Sequence, residues 1–330
     1  MRRRVLMLIA AVLVLGGAAV GYAVHARQRT GGENVVPVVS GQAISTLAPG
    51  QLLFRNTAAG PDFGRIASVP LDRPDAPRQT TDLKCDRFAA AAGTALCLAA
   101  RPGALPPMTD ISVLDSGLRV LRRFELPGTP SRARLSPDGR RAAWTLFVTG
   151  DSYAASGFST RAGVLDLDSG ELVKSIEELP VRLNGERYFA ADVNFWGITF
   201  AADGNRFYAT LGSKGRTYLV EGDYERFRGR VVRENVECPS LSPDGGRVAF
   251  KKREGSGWRL AVLDLAGGRE TLLAETRGVD DQAAWLDGRT VSYALPGAGG
   301  GSDVWAVPAD GSGSPKLLVT GGSSPVAVGG

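Results

Sequence analysis

Chemistry has few places to sit in this sequence. Its single histidine is His25, on the flank of an N-terminal apolar run. The residues beyond it therefore hold no imidazole for a Ser-His-Asp triad, a histidine general base or a histidine-rich zinc site. No Gly-x-Ser-x-Gly elbow precedes a helix, and the glycines of residues 297–301 are followed by neither a helix nor a lysine that could cradle a phosphate. Glu186, Asp192 and Asn194, with Asp151, offer oxygen ligands of the kind Ca²⁺ takes, but no acidic cluster marks a cation cage. No metal, no cofactor and no enzymatic activity are expected. Recognition chemistry is better represented. The run Arg187-Tyr188-Phe189-Ala190-Ala191-Asp192-Val193-Asn194-Phe195-Trp196 sets four aromatics beside polar groups, the composition of a recognition surface. Tyr188, Phe189, Asp192, Asn194, Phe195 and Trp196 are the candidate binding residues; the structural alternative is that Phe195 and Trp196 cap the core.

The elements that must position these residues recur. Leu135-Ser136-Pro137-Asp138-Gly139-Arg140-Arg141-Ala142-Ala143-Trp144 returns as Leu241-Ser242-Pro243-Asp244-Gly245-Gly246-Arg247-Val248-Ala249-Phe250, with weaker copies around Asp203-Gly204 and Asp287-Gly288. Degenerate copies surround Gly50 and Gly93. Aligned on the turn glycine, the intervals are 43, 46, 65, 41 and 43 residues. Hairpin chemistry at a period of about 40 to 50 residues predicts β-propeller blades. Asp138, Asp203, Asp244 and Asp287 are turn formers first: Pro presets φ, Asp bonds the backbone ahead of it, and Gly takes the left-handed position. The expectation is an all-β, six-bladed β-propeller over residues 43–330, its first blade opening with a strand near residues 44–48.

Three cysteines add a constraint. Cys85 and Cys97 flank the second hairpin turn, near enough for a bridge if the pairing shifts by a residue or two, with two buried thiols as the alternative. Cys238, before Pro239, is expected to be a packed core thiol.

The N-terminus is separate. Arg2-Arg3-Arg4 precedes residues 5–24, twenty residues without a charge, followed by His25-Ala26-Arg27-Gln28-Arg29. This pattern predicts an N-terminal transmembrane or signal helix in residues 1–29, either a signal anchor or a cleaved signal peptide, with residues 30–42 as linker. The body then lies outside the cytoplasm, membrane-anchored through that helix or secreted. The net charge of +5 arises there: without the five arginines of the first 29 residues, 34 basic face 34 acidic residues, so no nucleic-acid partner is expected.

The hairpins at residues 136–139 and 242–245, with the strands Val164-Leu165-Asp166-Leu167 and Val262-Leu263-Asp264-Leu265, resemble the TolB-type propeller repeat. The resemblance covers most of residues 43–320 and implies a scaffold fold that many functions use. The repeat's namesake resembles a periplasmic protein with an α/β domain ahead of its propeller, for which this chain has only about a dozen residues.

The interval from Gly139 to Gly204 is some twenty residues longer than the others. Its surplus falls in residues 149–160 and 179–197, connections expected on the face opposite the Asp-Gly hairpins. The residues 188–196, with residues 152–159 beside them, are expected to form the binding edge of that face. The function implied is a non-catalytic extracytoplasmic scaffold that binds a protein or cell-envelope component; the alternative is a Ca²⁺-dependent propeller hydrolase or lactonase.

Overall fold

A computed structural model describes residues 44–148 and 159–329. The apolar run, His25, the linker, Asp151 and most of residues 152–159 lie outside the described residues. The rest is all-β, in six sheets that form six blades. Blade 2 comprises Arg87–Ala91, Thr94–Ala100, Met108–Leu114 and Val120–Pro127, and blade 3 Thr129–Leu135, Arg141–Val148, Ser159–Asp166 and Leu172–Val173. Blade 4 has Asn194–Phe200, Arg206–Ser213, Arg216–Asp223 and Arg228–Glu234; blade 5 has Glu237–Leu241, Arg247–Glu254, Gly257–Asp264 and Glu270–Leu272. Blade 6 has Ala284–Trp285, Thr290–Pro296, Ser302–Pro308 and Lys316–Val319.

The Ser-Pro-Asp-Gly copies fold alike. Asp138 accepts from the hydroxyl of Ser136 and the backbone N–H of Arg140, while Ser136 Oγ accepts from Arg141 N–H at 2.9 Å. Asp244 repeats this with Ser242, Gly246 and Arg247. Gly139 and Gly245 hold φ of 72° and 70°, where a side chain is strained. Asp203 and Asp287 likewise accept from the backbone just ahead of them.

The second strands carry continuous buried runs, as in Arg141–Val148 (RAAWTLFV) and Arg206–Ser213 (RFYATLGS). A sheet whose two faces are both covered needs a continuous apolar run rather than alternation. The apolar side chains gather in the seams between neighbouring blades. Leu53, Ile66, Phe88 and Leu114 join blades 1 and 2, Leu96, Leu98, Trp144 and Leu146 join blades 2 and 3, and Phe195, Phe207 and Val164 join blades 3 and 4.

Blade 1 differs from the expectation. Residues 44–48 form no strand. The inner strand of this blade is Gly322–Ala327, from the C-terminal end of the chain, which pairs with Gln51–Asn56 in the register Leu52 to Ala327 and Leu53 to Val326; Arg65–Pro70 and Gln79–Lys84 complete the sheet. One strand edge takes one partner, and Val326 and Val328 pack into the blade 1–2 seam there. Leu47 instead bonds the Ser116 carbonyl of blade 2. Buried Arg78 secures the closure: its guanidinium donates to Asn56 Oδ1 at 2.6 Å and to the carbonyls of Thr320 and Gly321 at 2.5 and 3.0 Å. Burial lowers its pKa to about 10, against the opposing effect of Asp303.

Cys85 and Cys97 form a disulfide with a Cα–Cα distance of 5.4 Å. Cys85 stands two residues ahead of the inner strand of blade 2, where Phe88 is the ladder partner of Cys97, so the bridge joins a residue just outside the hairpin ladder to one within it. Cys238 is a buried free thiol.

Candidate binding site on blade 4

The surplus of the long interval builds an extra hairpin. Val181–Leu183 pairs in parallel with Arg228–Glu234, and Glu186–Arg187 folds back on it, so blade 4 becomes a six-stranded sheet. The turn is Asn184-Gly185, with φ of 53° and 85° at the two positions. These are the left-handed values of a two-residue hairpin turn, and Asn-Gly is its strongest sequence signal. The signal was present in the sequence; only the pairing partner was not.

The hairpin has two faces. Val181, Leu183 and Tyr188 pack with Phe195, Phe207 and Val220 in the blade 3–4 seam. The other face carries charge. Arg187 stands opposite Arg182, Arg182 opposite Arg230, Arg230 opposite Glu221, and Glu221 opposite Tyr208. Two residues along, Arg206, Asp223 and Arg228 form a second row on the same face. This face is turned toward blade 5, where Tyr208 packs with Val248 and Phe250. The two rows floor a groove of about 620 Å³, lined also by Pro180, Asn205 and the backbone of Gly222 and Gly229. It lies at the outer edge of the blade beside the Asp203-Gly204 hairpin, not on the opposite face.

Arg230 pairs with Glu221 at 2.8 Å, and Asp223 is engaged by Arg226 at 3.2 Å and Asn205 at 3.0 Å. Among the described residues, Arg182, Arg187, Arg206 and Arg228 form no ion pair. Arg182 donates to the Gly185 carbonyl at 2.7 Å, and Arg187 lies over the Phe189 ring at 4.5 Å.

The residues singled out from sequence divide between two settings. Phe189 is 69% exposed beside the groove hairpin. Tyr188 is half-buried; its hydroxyl donates to Ser213 Oγ at 2.9 Å, which in turn donates to Asp192 at 2.7 Å. Asp192 also accepts from Lys214 N–H, and the Ser213 and Lys214 hydrogen bonds hold its carboxyl below the usual range. Asn194 accepts from Thr160 N–H at 3.0 Å and donates to the Asp192 carbonyl. Phe195 is wholly buried in the seam and presents no surface to a partner. Trp196 is half-buried over Gly212, where a Cβ would sit 2.5 Å from its ring. Exposed Glu186 lies apart on the outer hairpin. The oxygens of Asp192 and Asn194 thus answer backbone and hydroxyl donors. Among the described residues, no group of three or more His, Cys, Asp or Glu is placed to hold a metal ion.

Glu177 fastens the insertion to the ring. Its Oε1 accepts from Ala162 N–H of blade 3 at 3.1 Å and from Phe195 N–H of blade 4 at 3.3 Å. Desolvation in this seam pushes its carboxyl up despite these bonds.

The architecture is that of a six-bladed propeller closed by a C-terminal strand. It is similar to TolB from Acinetobacter baumannii (TM-score 0.58, 19% identity, 84% of this chain and 66% of that one). A putative TolB from Agrobacterium tumefaciens is also similar (TM-score 0.51, 12% identity, covering 84% and 92%). So is a puromycin-hydrolyzing peptidase from Mycobacterium tuberculosis (TM-score 0.50, 14% identity, covering 84% and 44%). At these identities the likeness is one of fold: the chain has a TolB-like propeller. It spans just under two thirds of the first protein's length. No family model and no curated protein matches the chain.

Proposed function

We infer that this chain is a non-catalytic, extracytoplasmic binding propeller whose blade 4 receives an acidic segment of a partner protein. The carrying observation is the row Arg187, Arg182, Arg230 across three neighbouring strands. Like charges directly opposite one another destabilise a sheet, and among the described residues only Arg230 of the three has a carboxylate partner. The body carries 34 basic and 34 acidic residues beyond residue 29, so this accumulation is local. Exposed Phe189 beside the row adds an apolar contact, and arginine with aromatic residues is the enriched composition of protein interfaces. The Cys85–Cys97 bridge supports an oxidising compartment, consistent with delivery by residues 1–29, as a retained membrane anchor or a cleaved signal. The lack of histidine after His25 and the use of the turn aspartates by their own hairpins support a role without catalysis.

The test is fluorescence anisotropy of the full chain with an Asp/Glu-rich peptide that carries one aromatic residue, against the same peptide with lysines in place of the acids. Saturable binding of the acidic peptide alone is expected, weakening with salt, and about tenfold weaker in the Arg182→Ala/Arg187→Ala variant, as loss of complementary interface charge gives. Equal affinity for both peptides, or an unchanged affinity in the variant, would refute it.

A further inference from the structure

A second set of arginines lies on the propeller axis. Arg87 opens the inner strand of blade 2, and Arg132 and Arg134 occupy alternate positions of the inner strand of blade 3. Their partners show that they cross the central tunnel. Arg134 donates to Ser240 Oγ of blade 5 at 3.2 Å and to the Ala283 carbonyl at the start of blade 6 at 2.7 Å; neither blade adjoins blade 3. Arg87 and Arg132 both feel the charge of Asp281, also on the far side.

Two of these guanidinium groups converge. Arg87 Nε and Arg132 Nη1 donate to the same acceptor, the Ser131 carbonyl, Arg132 at 2.8 Å. Two cations are thereby held side by side. Arg132 Nε is buried without a hydrogen-bond partner. Among the described residues, none of the three arginines has a carboxylate within ion-pair distance. The acids around them are engaged: Asp280 holds Lys251 at 2.6 Å, Glu237 holds Arg253 at 3.2 Å, and Asp281 accepts from the backbone of Gln282 and Ala294. Three cations thus face one unpaired carboxylate inside the ring. Burial depresses Arg134 to about 10 and lowers Arg87 as well, whereas Arg132, despite its burial, is raised by Cys238 and Asp281. Partly buried like charges held together without a counter-ion are unfavourable, and a planar guanidinium fork matches a carboxylate or phosphate oxygen pair. Beside Arg134, the one of the three that lines it, the tunnel widens into a cavity of about 300 Å³ bounded by inner strands of all six blades and including Thr199, Ser240 and Trp285, which gives an oxyanion room to reach Arg134.

We propose that the axial tunnel is a binding site for a small oxyanion, a phosphate, sulfate or carboxylate, held by Arg134 at the cavity, with Arg87 and Arg132 supplying positive charge behind it. The site is distinct from the blade 4 groove and does not depend on it.

The full chain, dialysed into chloride buffer, is titrated with phosphate, sulfate and citrate at ionic strength held constant with NaCl, following both heat of binding and Tm. A ligand that binds only the folded state raises Tm with the logarithm of its concentration above Kd. At least one oxyanion is expected to give a saturable isotherm and a Tm rise that NaCl does not reproduce; the arm that responds distinguishes tetrahedral from carboxylate ligands. Arg134→Gln should weaken the response about tenfold or more, the scale of a lost charge-assisted bond. Arg182→Ala/Arg187→Ala should leave it unchanged, which separates this site from the groove. Should Arg134→Gln not fold, Asp281→Asn decides: removing the one opposing charge should tighten binding. The proposal is overturned by no saturable response to any of the three anions, by a response lost in the groove variant, or by wild-type affinity in whichever tunnel variant folds.

Discussion

The two ends of the blade 4 insertion do different work, though they come from one stretch of about twenty residues. Its inner end, from Asp192 to Trp196, is absorbed into the ring: Phe195 fills the blade 3–4 seam, and the oxygens of Asp192 and Asn194 answer neighbouring donors. Its outer end, the hairpin around Asn184-Gly185, joins the ring by a parallel pairing and by one apolar face, and leaves Arg182, Arg187 and Phe189 to solvent. An insertion must be fastened before it can present anything, and the aromatic content that marks the whole stretch serves both ends. Composition therefore locates the insertion without saying which half is the anchor.

The largest effect should come from the anchor. Phe195→Ala is expected to cost about 3–5 kcal/mol, as other buried Phe truncations do, measured by denaturant unfolding; a cost below about 1 kcal/mol would mean the seam repacks and would break the contrast. Asp192→Ala, which strands the Ser213 hydroxyl and Lys214 N–H, should cost about 1–2 kcal/mol by the same measurement.

Smaller, and opposite in sign, is the effect of Glu177→Gln. The Glu177 carboxyl is raised in the folded protein, so the folded state keeps its proton to higher pH than the unfolded chain does. Its contribution to stability is fully present below the ordinary carboxyl value of 4.5 and is lost as pH rises through the folded pKa. Gln can accept the same two N–H bonds without charge. The variant should therefore be more stable than the wild type at neutral pH, with the advantage shrinking below the ordinary value. A Tm difference independent of pH would remove Glu177 as the titrating fastener.

The smallest effect on stability is expected at the outer end. Phe189→Ala should stay within about 0.5 kcal/mol of the wild type, the usual range for an exposed site, while weakening acidic-peptide binding. Substantial destabilisation would show that the outer end is an anchor too.

How much of this was legible in the sequence depends on the range of the interaction that decides it. The Ser-Pro-Asp-Gly turns are local: Ser136, Asp138 and Arg141 satisfy one another within six residues, and the same letters at 242–247 produce the same bonds. Six hairpins at a nearly constant interval suffice for six blades, and the long third interval, from Gly139 to Gly204, marks where an insertion must lie. The Asn184-Gly185 turn was equally local and could have been read from the same chemistry.

Pairings between distant strands are another matter. No short-range signal tells Gly322–Ala327 to occupy the edge of Gln51–Asn56 ahead of residues 44–48, because both are short stretches of mixed apolar and hydroxyl residues and only ring closure brings the first within reach. Arg78 is an ordinary arginine in the sequence and the lock of that closure in the structure. The same holds for the two arginine sets. Arg182 and Arg230 are 48 residues apart and become neighbours only through a parallel pairing, and Arg134 reaches Ala283 only across the axis. The sequence by itself determined the blades, their turns and the site of the insertion, since each rests on contacts within a hairpin. Only the tertiary structure decided which charges stand together, because a ring places side by side residues that no local spacing relates.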